Sequence, residues 1–145
     1  MISYLIWFLS AGIGTYLFCL SMRSPRKSVL PTSTVAAFGY ALYMLLSNLT
    51  ASEPLSYFFA TLWVAAASEL LATLMRMPAT IFMFPAVVPM VPGIGIYRTM
   101  LYLIQKDYGA FAETGSRTLL ALGAMAMAIA LTNEMARRIH GKRKG

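Results

Sequence analysis

The chain has 145 residues and a formal net charge of +7; 59% of its residues are hydrophobic and only 12% are charged. A soluble domain carries roughly a quarter charged residues, so these few charges cannot cover a surface that faces water. The composition excludes an ordinary soluble domain and predicts an all-α integral membrane protein. Its length fits one membrane domain, residues 1–145, with no second folded unit.

Five apolar runs come near the roughly 20 residues that a helix needs to cross a bilayer. They predict spans at about residues 2–22, 32–49, 54–75, 80–105 and 118–135. Pro31 is expected to act as a breaker before the second span. Pro54 falls in the first turn of the third span, where proline is tolerated.

Basic residues predict the orientation of these spans, because Lys and Arg concentrate in short cytoplasmic loops. Arg23, Arg26 and Lys27 mark the first connection, Arg76 marks the third, and residues 136–145 form a basic tail. The acidic loops around Glu53 and residues 106–113 then lie outside. The N-terminus is expected outside and the C-terminus in the cytoplasm. Nucleic-acid binding is the other interpretation of a basic chain; we favour the membrane one and expect no nucleic-acid partner.

The fourth span contains the sequence Phe84-Pro85-Ala86-Val87-Val88-Pro89-Met90-Val91-Pro92-Gly93-Ile94-Gly95-Ile96-Tyr97-Arg98. Each proline removes a backbone donor and clashes with the preceding turn, and lipid cannot satisfy the groups that are freed. Gly93–Ile96 is expected to begin a second half-helix near the bilayer midplane, whose N–H groups and dipole favour an anion. The alternative is a proline-kinked helix whose freed groups are capped by its neighbours.

Two ionisable residues fall inside predicted spans, where such residues are functional-site candidates by default. Arg98 lies about 12 Å from the outer boundary, and its guanidinium can hold a carboxylate through two hydrogen bonds. Glu69 lies roughly 10 Å inside the cytoplasmic boundary, so the two side chains differ in depth by about 8 Å. Arg98 is either a substrate ligand or the partner of Glu69 or Glu113. Glu69 is either that counter-ion or a proton-coupling group.

Other chemistry has little support in the sequence. It shows no Cys/His metal spacing, no phosphate-binding glycine loop and no Ser/His/Asp set, so we expect no enzyme activity, no cofactor and no metal. Tyr57 and Tyr102 suit the aromatic belts at membrane interfaces.

An odd number of spans resembles half of a transporter built from two repeats of opposite topology. A partner with five spans and a cytoplasmic N-terminus, which could be a second polypeptide, would complete the pair. Small residues on span five, such as Ala124 and Ala128, suit helix association, either with that partner or within this chain.

The sequence Pro89-Met90-Val91-Pro92-Gly93, followed by Tyr97-Arg98, resembles the motif of the threonine/serine exporter family. Met90 stands where the family usually has Leu. Arg76-Met77-Pro78-Ala79-Thr80 and Ser24-Pro25-Arg26-Lys27 followed by Gly39-Tyr40 resemble other family segments, so the resemblance covers most of the chain. The chain is similar to the small, YjjB-like membrane subunit.

This resemblance implies a subunit of a secondary exporter in the cell inner membrane, working with a larger YjjP-like subunit. The implied substrates are small carboxylate metabolites: threonine or serine, or a dicarboxylate such as succinate. The candidate residues of the substrate path are Pro89, Pro92, Gly93, Gly95, Tyr97 and Arg98. Glu69 is kept as an ion-pair or proton-coupling residue. Two other functions remain open: a non-transporting scaffold or gating subunit, and a homo-oligomeric channel.

Overall fold

The computed structural model of the chain describes residues 2–50 and 52–141. These residues form six α-helices and a short 3-10 turn, and they contain no strand. The elements are α1 Ile2–Ser21, α2 Arg26–Leu49, α3 Glu53–Met75, α4 Thr80–Val87, the 3-10 turn Val88–Met90, α5 Gly93–Ile104 and α6 Tyr108–Gly141. The all-α prediction is therefore confirmed. The last four residues of the predicted basic tail lie outside the described residues.

Three helices in the described part are long and apolar enough to cross a membrane: α2, α3 and α6. The helical segments 80–90 and 93–104 pass the same test only as a pair, and they are bent by 55° at the break between them. Helix α1 is a shorter apolar helix. The chain thus has three candidate spans, or four with the bent pair, and the five-span count and the orientation stay predictions.

Two helices begin earlier than the predicted spans, and the expectation that Pro31 acts as a breaker is wrong. Helix α2 begins at Arg26 and contains Pro31 in its interior, so this proline does not end the preceding segment. The carbonyl that loses its helical donor to Pro31 is that of Lys27, and the hydroxyls of Thr32 and Ser33 donate to the next two carbonyls, those of Ser28 and Val29.

The second of these helices is α6, which begins at Tyr108, ten residues before the predicted span. Asp107 explains the early start, because its Oδ1 accepts a hydrogen bond of 3.1 Å from the amide of Ala110. An Asp at this position satisfies one of the free donors of the first turn. Glu113, predicted in a loop, is consequently a helical residue.

The core forms where α2, α3 and α4 meet, and its buried members extend to α6. It contains Ala36, Tyr57, Ala60, Val64, Ala86, Met90, Ala121 and Met125. Small residues dominate it, as expected where packing drives helix association in lipid. A Cβ added to Gly39 would collide with Cγ2 of Val64, so α2 and α3 approach each other as closely as a glycine permits.

Helix α5 is the peripheral element of the bundle. It packs against α6, and none of its residues is buried. A Cβ at Gly95 would stand 2.5 Å from the hydroxyl oxygen of Thr118, so the contact with α6 is close. By contrast, α4 packs against α2 and α3. The two halves of the bent pair therefore pack against different helices.

Candidate substrate site at the helix break

The break follows directly from the prolines of the motif. Pro85, Pro89 and Pro92 have no N–H to donate, so the regular helical ladder cannot run past Val87. The chain tightens into the 3-10 turn and then extends at Val91, with φ −60° and ψ 128°. Pro92, with φ −72° and ψ 62°, has the dihedral angles of an inverse γ-turn.

Helix α5 restarts immediately after this turn. The amide of Gly93 donates to the carbonyl of Val91 at 2.7 Å, and the amide of Ile96 donates to the carbonyl of Pro92 at 3.1 Å. The amides between them, on Ile94 and Gly95, have no acceptor among the described residues. The half-helix expected from the sequence therefore exists, and it offers two free N–H groups at its positive end.

These two residues face a cavity of about 500 Å³, which we call the tyrosine cavity. Four helices and the break contribute to its wall. The lining residues are Tyr40, Tyr43 and Met44 of α2; Glu53 and Tyr57 of α3; the segment 89–95 with Arg98 and Tyr102; and Glu113, Thr114, Arg117, Thr118 and Ala121 of α6. Its volume is within the usual range for small-molecule sites.

The charges in the tyrosine cavity balance. Glu113 and Arg117 form an ion pair on α6 with an N–O distance of 2.9 Å. Glu53 and Arg98 line the same cavity from α3 and α5, and neither has an ion-pair partner within the described part of the chain. An unpaired guanidinium and an unpaired carboxylate are therefore available to a ligand.

Three aromatic rings form part of the cavity wall. Tyr43 and Tyr57 have ring centroids 4.5 Å apart, and Tyr40 lies 5.9 Å from Tyr43. Tyr57 is only 6% exposed, so its expected place in an interfacial belt is wrong. The spacing of the tyrosines in the sequence is compatible with both the membrane interface and the bundle interior. In the structure the ring of Tyr57 points into the bundle, where it contacts Tyr43.

The structure brings five of the six candidate path residues to this cavity: Pro89, Pro92, Gly93, Gly95 and Arg98. Tyr97 does not line it, and this side chain is 67% exposed. Consecutive residues of a helix point about 100° apart, which turns Tyr97 away from the side that carries Arg98.

Glu69 lies at the other end of the bundle and lines a second cavity, of about 590 Å³. This Glu69 cavity is formed by Glu69, Ala72, Thr73, Met77, Ala79, Ala130, Asn133, Glu134, Ala136 and Arg137. Arg98 is not part of it, and the structure contains no ion pair of Arg98 with Glu69 or with Glu113. Glu134 pairs with Arg138, four residues later on the same helix, at 3.2 Å.

Sequence reasoning missed the acidic and aromatic part of the tyrosine cavity. Two spacings in the sequence could have indicated this part of the cavity. Glu53 and Tyr57 are four residues apart, and Tyr40 and Tyr43 are three residues apart, so each pair shares a helix face. The group lies together only because α2 and α3 form an antiparallel pair around a short turn. Asn133 of the Glu69 cavity had no distinguishing signal.

A helical membrane protein with a span broken beside a charged cavity has the architecture of a secondary transporter. A family model described as "Threonine/Serine exporter, ThrE" matches residues 7–135. The match covers most of the chain, and the chain therefore belongs to the threonine/serine exporter family, as its motif indicated. Curated proteins and solved structures yield no match.

Proposed function

We propose that this chain is a membrane subunit of a secondary exporter for a small amino acid, threonine or serine, and that the tyrosine cavity binds the substrate. The observation that carries the proposal is the unpaired Arg98 beside the free amides of Ile94 and Gly95. A carboxylate in this position meets a guanidinium and a helix N-terminus together, two of the strongest carboxylate ligands in proteins.

The balanced charge of the cavity favours an amino acid over a dicarboxylate. An amino acid carries one carboxylate for Arg98 and one ammonium group for Glu53, with tyrosine hydroxyls as further acceptors. A dicarboxylate such as succinate would bring two negative charges to a cavity that already holds Glu53 and Glu113. Like charges in such a site repel each other, so we expect serine to compete for transport far better than succinate.

The test of the site is export by the Arg98→Ala variant. Hydrogen bonds to charged groups contribute about 1.5–3 kcal/mol, and Arg98 is exposed, so we expect the lower part of this range, a rise in KM of about tenfold. Arg98→Lys keeps the positive charge but cannot form two parallel hydrogen bonds to a carboxylate. Its KM should therefore lie between those of Arg98→Ala and the wild type. The measurement is the initial rate of serine transport in membrane vesicles against serine concentration.

Arg117→Ala is the matched control, because Arg117 lines the same cavity but is already paired with Glu113. Its KM should change less than that of Arg98→Ala. A KM for Arg98→Ala within twofold of the wild type would refute the assignment of Arg98 to the carboxylate.

Glu69 is our candidate for coupling export to a proton gradient. It is half-buried and lines the Glu69 cavity. Because Arg98 lines the other cavity, the carboxylate of Glu69 is not engaged as the counter-ion of Arg98. Glu69→Gln keeps the shape and removes the titratable group. If Glu69 couples transport to protons, this variant still exchanges labelled for unlabelled serine but loses accumulation driven by a pH gradient. Sodium coupling would leave its proton response equal to that of the wild type.

The partner is the larger subunit with five spans and a cytoplasmic N-terminus, and we place the assembly in the inner membrane. Helix α1 would be the fifth span of this chain, since 20 residues extend about 30 Å. Support for a partner comes from α5, which has no buried residue and exposes Tyr97, Ile94 and Ile104. Co-purification from membranes tests this: a chain that exports serine without a second subunit would overturn it.

A further inference from the structure

The tyrosine cavity and the Glu69 cavity lie at opposite ends of the same helix pair. Tyr57 of α3 and Ala121 of α6 line the first, and Glu69 of α3 and Ala130 of α6 line the second. Because both helices run from the first cavity to the second, they are parallel, and they pack against each other. The stretch between the cavities measures about 18 Å along α3 and about 14 Å along α6.

A row of buried residues on α3 connects the two cavities. Thr61, Ala65, Ser68 and Ala72 follow one another at spacings of four, three and four residues, so they share one helix face. All four are buried. Ala72 lines the Glu69 cavity, and Tyr57, one turn before Thr61, lines the tyrosine cavity. The row therefore joins the part of α3 that lines one cavity to the part that lines the other, and α6 lines both cavities as well.

Two side chains of this row carry hydroxyls without a partner. The hydroxyls of Thr61 and Ser68 are fully buried and make no hydrogen bond. In contrast, the hydroxyl of Thr132 of α6 donates to the carbonyl of Ala128 at 3.0 Å. A buried polar group without a partner costs free energy, and such groups mark places where water, an ion or a ligand belongs.

We propose that the α3–α6 interface is the closed middle segment of the substrate path, and that the hydroxyls of Thr61 and Ser68 bind the substrate as it passes. The proposal rests on the export function above. When α3 and α6 separate, each hydroxyl can donate to the carboxylate or accept from the ammonium group. The small side chains of Ala65 and Ala128 leave little volume to rearrange, so a modest separation opens the segment.

Cysteine accessibility tests this proposal. Thr61→Cys and Ser68→Cys are made in a Cys19→Ala background, because Cys19 is the only native cysteine. The full chain, with its partner, is kept in membrane vesicles and treated with a small cationic methanethiosulfonate. We expect both cysteines to react at least tenfold faster than Thr15→Cys, and serine to slow their reaction.

Thr15 is the matched control because its hydroxyl is also buried and without a partner. It belongs to α1, which packs against α2, α4 and the 3-10 turn. A second measurement is serine export by Thr61→Val and Ser68→Ala, which we expect to fall at least fivefold at equal amounts of membrane-inserted protein. Thr15→Val should export at the wild-type rate.

The outcomes separate this proposal from the function on which it rests. If the cysteines at 61 and 68 react as slowly as the one at 15, the interface is ordinary packing and the proposal is overturned. If they react quickly but serine does not slow their reaction, the α3–α6 path is supported and the proposal that serine is the substrate is refuted. Wild-type export by both hydroxyl variants would overturn the binding role of the hydroxyls.

Discussion

The close contact of α5 with α6 makes Gly95→Ala the sharpest structural test of the site. The added Cβ would lie 2.5 Å from Oγ1 and 3.3 Å from Cγ2 of Thr118. The first distance is shorter than real Cβ contacts and the second is tight, so α5 or Thr118 must shift. Because Gly95 and Thr118 both line the tyrosine cavity, any shift also changes the position of Arg98 relative to the rest of the cavity.

The magnitude combines two opposing effects. Overpacking of this kind costs about 1–3 kcal/mol. Replacing glycine by alanine inside a helix stabilises it by up to about 1 kcal/mol. The net loss for Gly95→Ala is therefore about 0–2 kcal/mol, whereas the coupling between Gly95→Ala and Thr118→Ala should reach about 1–3 kcal/mol, because the second change removes both clashing atoms.

The assay is a double-mutant cycle on the free energy of unfolding in mixed detergent micelles. Gly93→Ala is the matched control, since a Cβ at Gly93 meets nothing within 4 Å. We expect Gly95→Ala to be less stable than Gly93→Ala, and Gly95→Ala/Thr118→Ala to be more stable than Thr118→Ala alone. A coupling energy near zero would refute the packing of α5 on α6 described above.

Two further variants test other contacts. Gly39→Ala should destabilise the α2–α3 pair by about 1–3 kcal/mol because its Cβ collides with Cγ2 of Val64, and Val64→Ala should relieve most of that loss in the same unfolding assay. Asp107→Ala should cost about 1 kcal/mol through the lost bond to the amide of Ala110, whereas Asp107→Asn should stay near the wild type; equal losses for Ala and Asn would contradict the capping role.

The helix break was predictable because its cause is local. Proline lacks a donor wherever it lies, so Pro89 and Pro92 interrupt the ladder whatever surrounds them. The restart at Gly93 follows from the same chemistry. Pro31 shows the limit of this reasoning, because this single proline lies inside α2 without ending the helix.

The composition of the site was less predictable because it depends on how helices are rotated. Sequence spacing predicted that Glu69 and Arg98 lie at similar depths, but it could not predict the direction in which each side chain faces or the bend in the fourth apolar run. The 55° bend and the packing of α5 on α6 bring Arg98 to the cavity that Glu53 also lines. Glu69 instead faces Asn133 and Arg137 at the opposite end, so the expected proximity of Glu69 and Arg98 does not arise.

The split of the fourth apolar run has a consequence for how the protein enters the bilayer. Helix α5 has 12 residues, about 18 Å in length, and α4 with its 3-10 turn is no longer. Neither half covers the roughly 30 Å of the hydrocarbon core, so neither can partition into the membrane alone as a span. The two halves must insert together, and the orientation of α6, and with it the side on which each cavity opens, depends on that joint insertion.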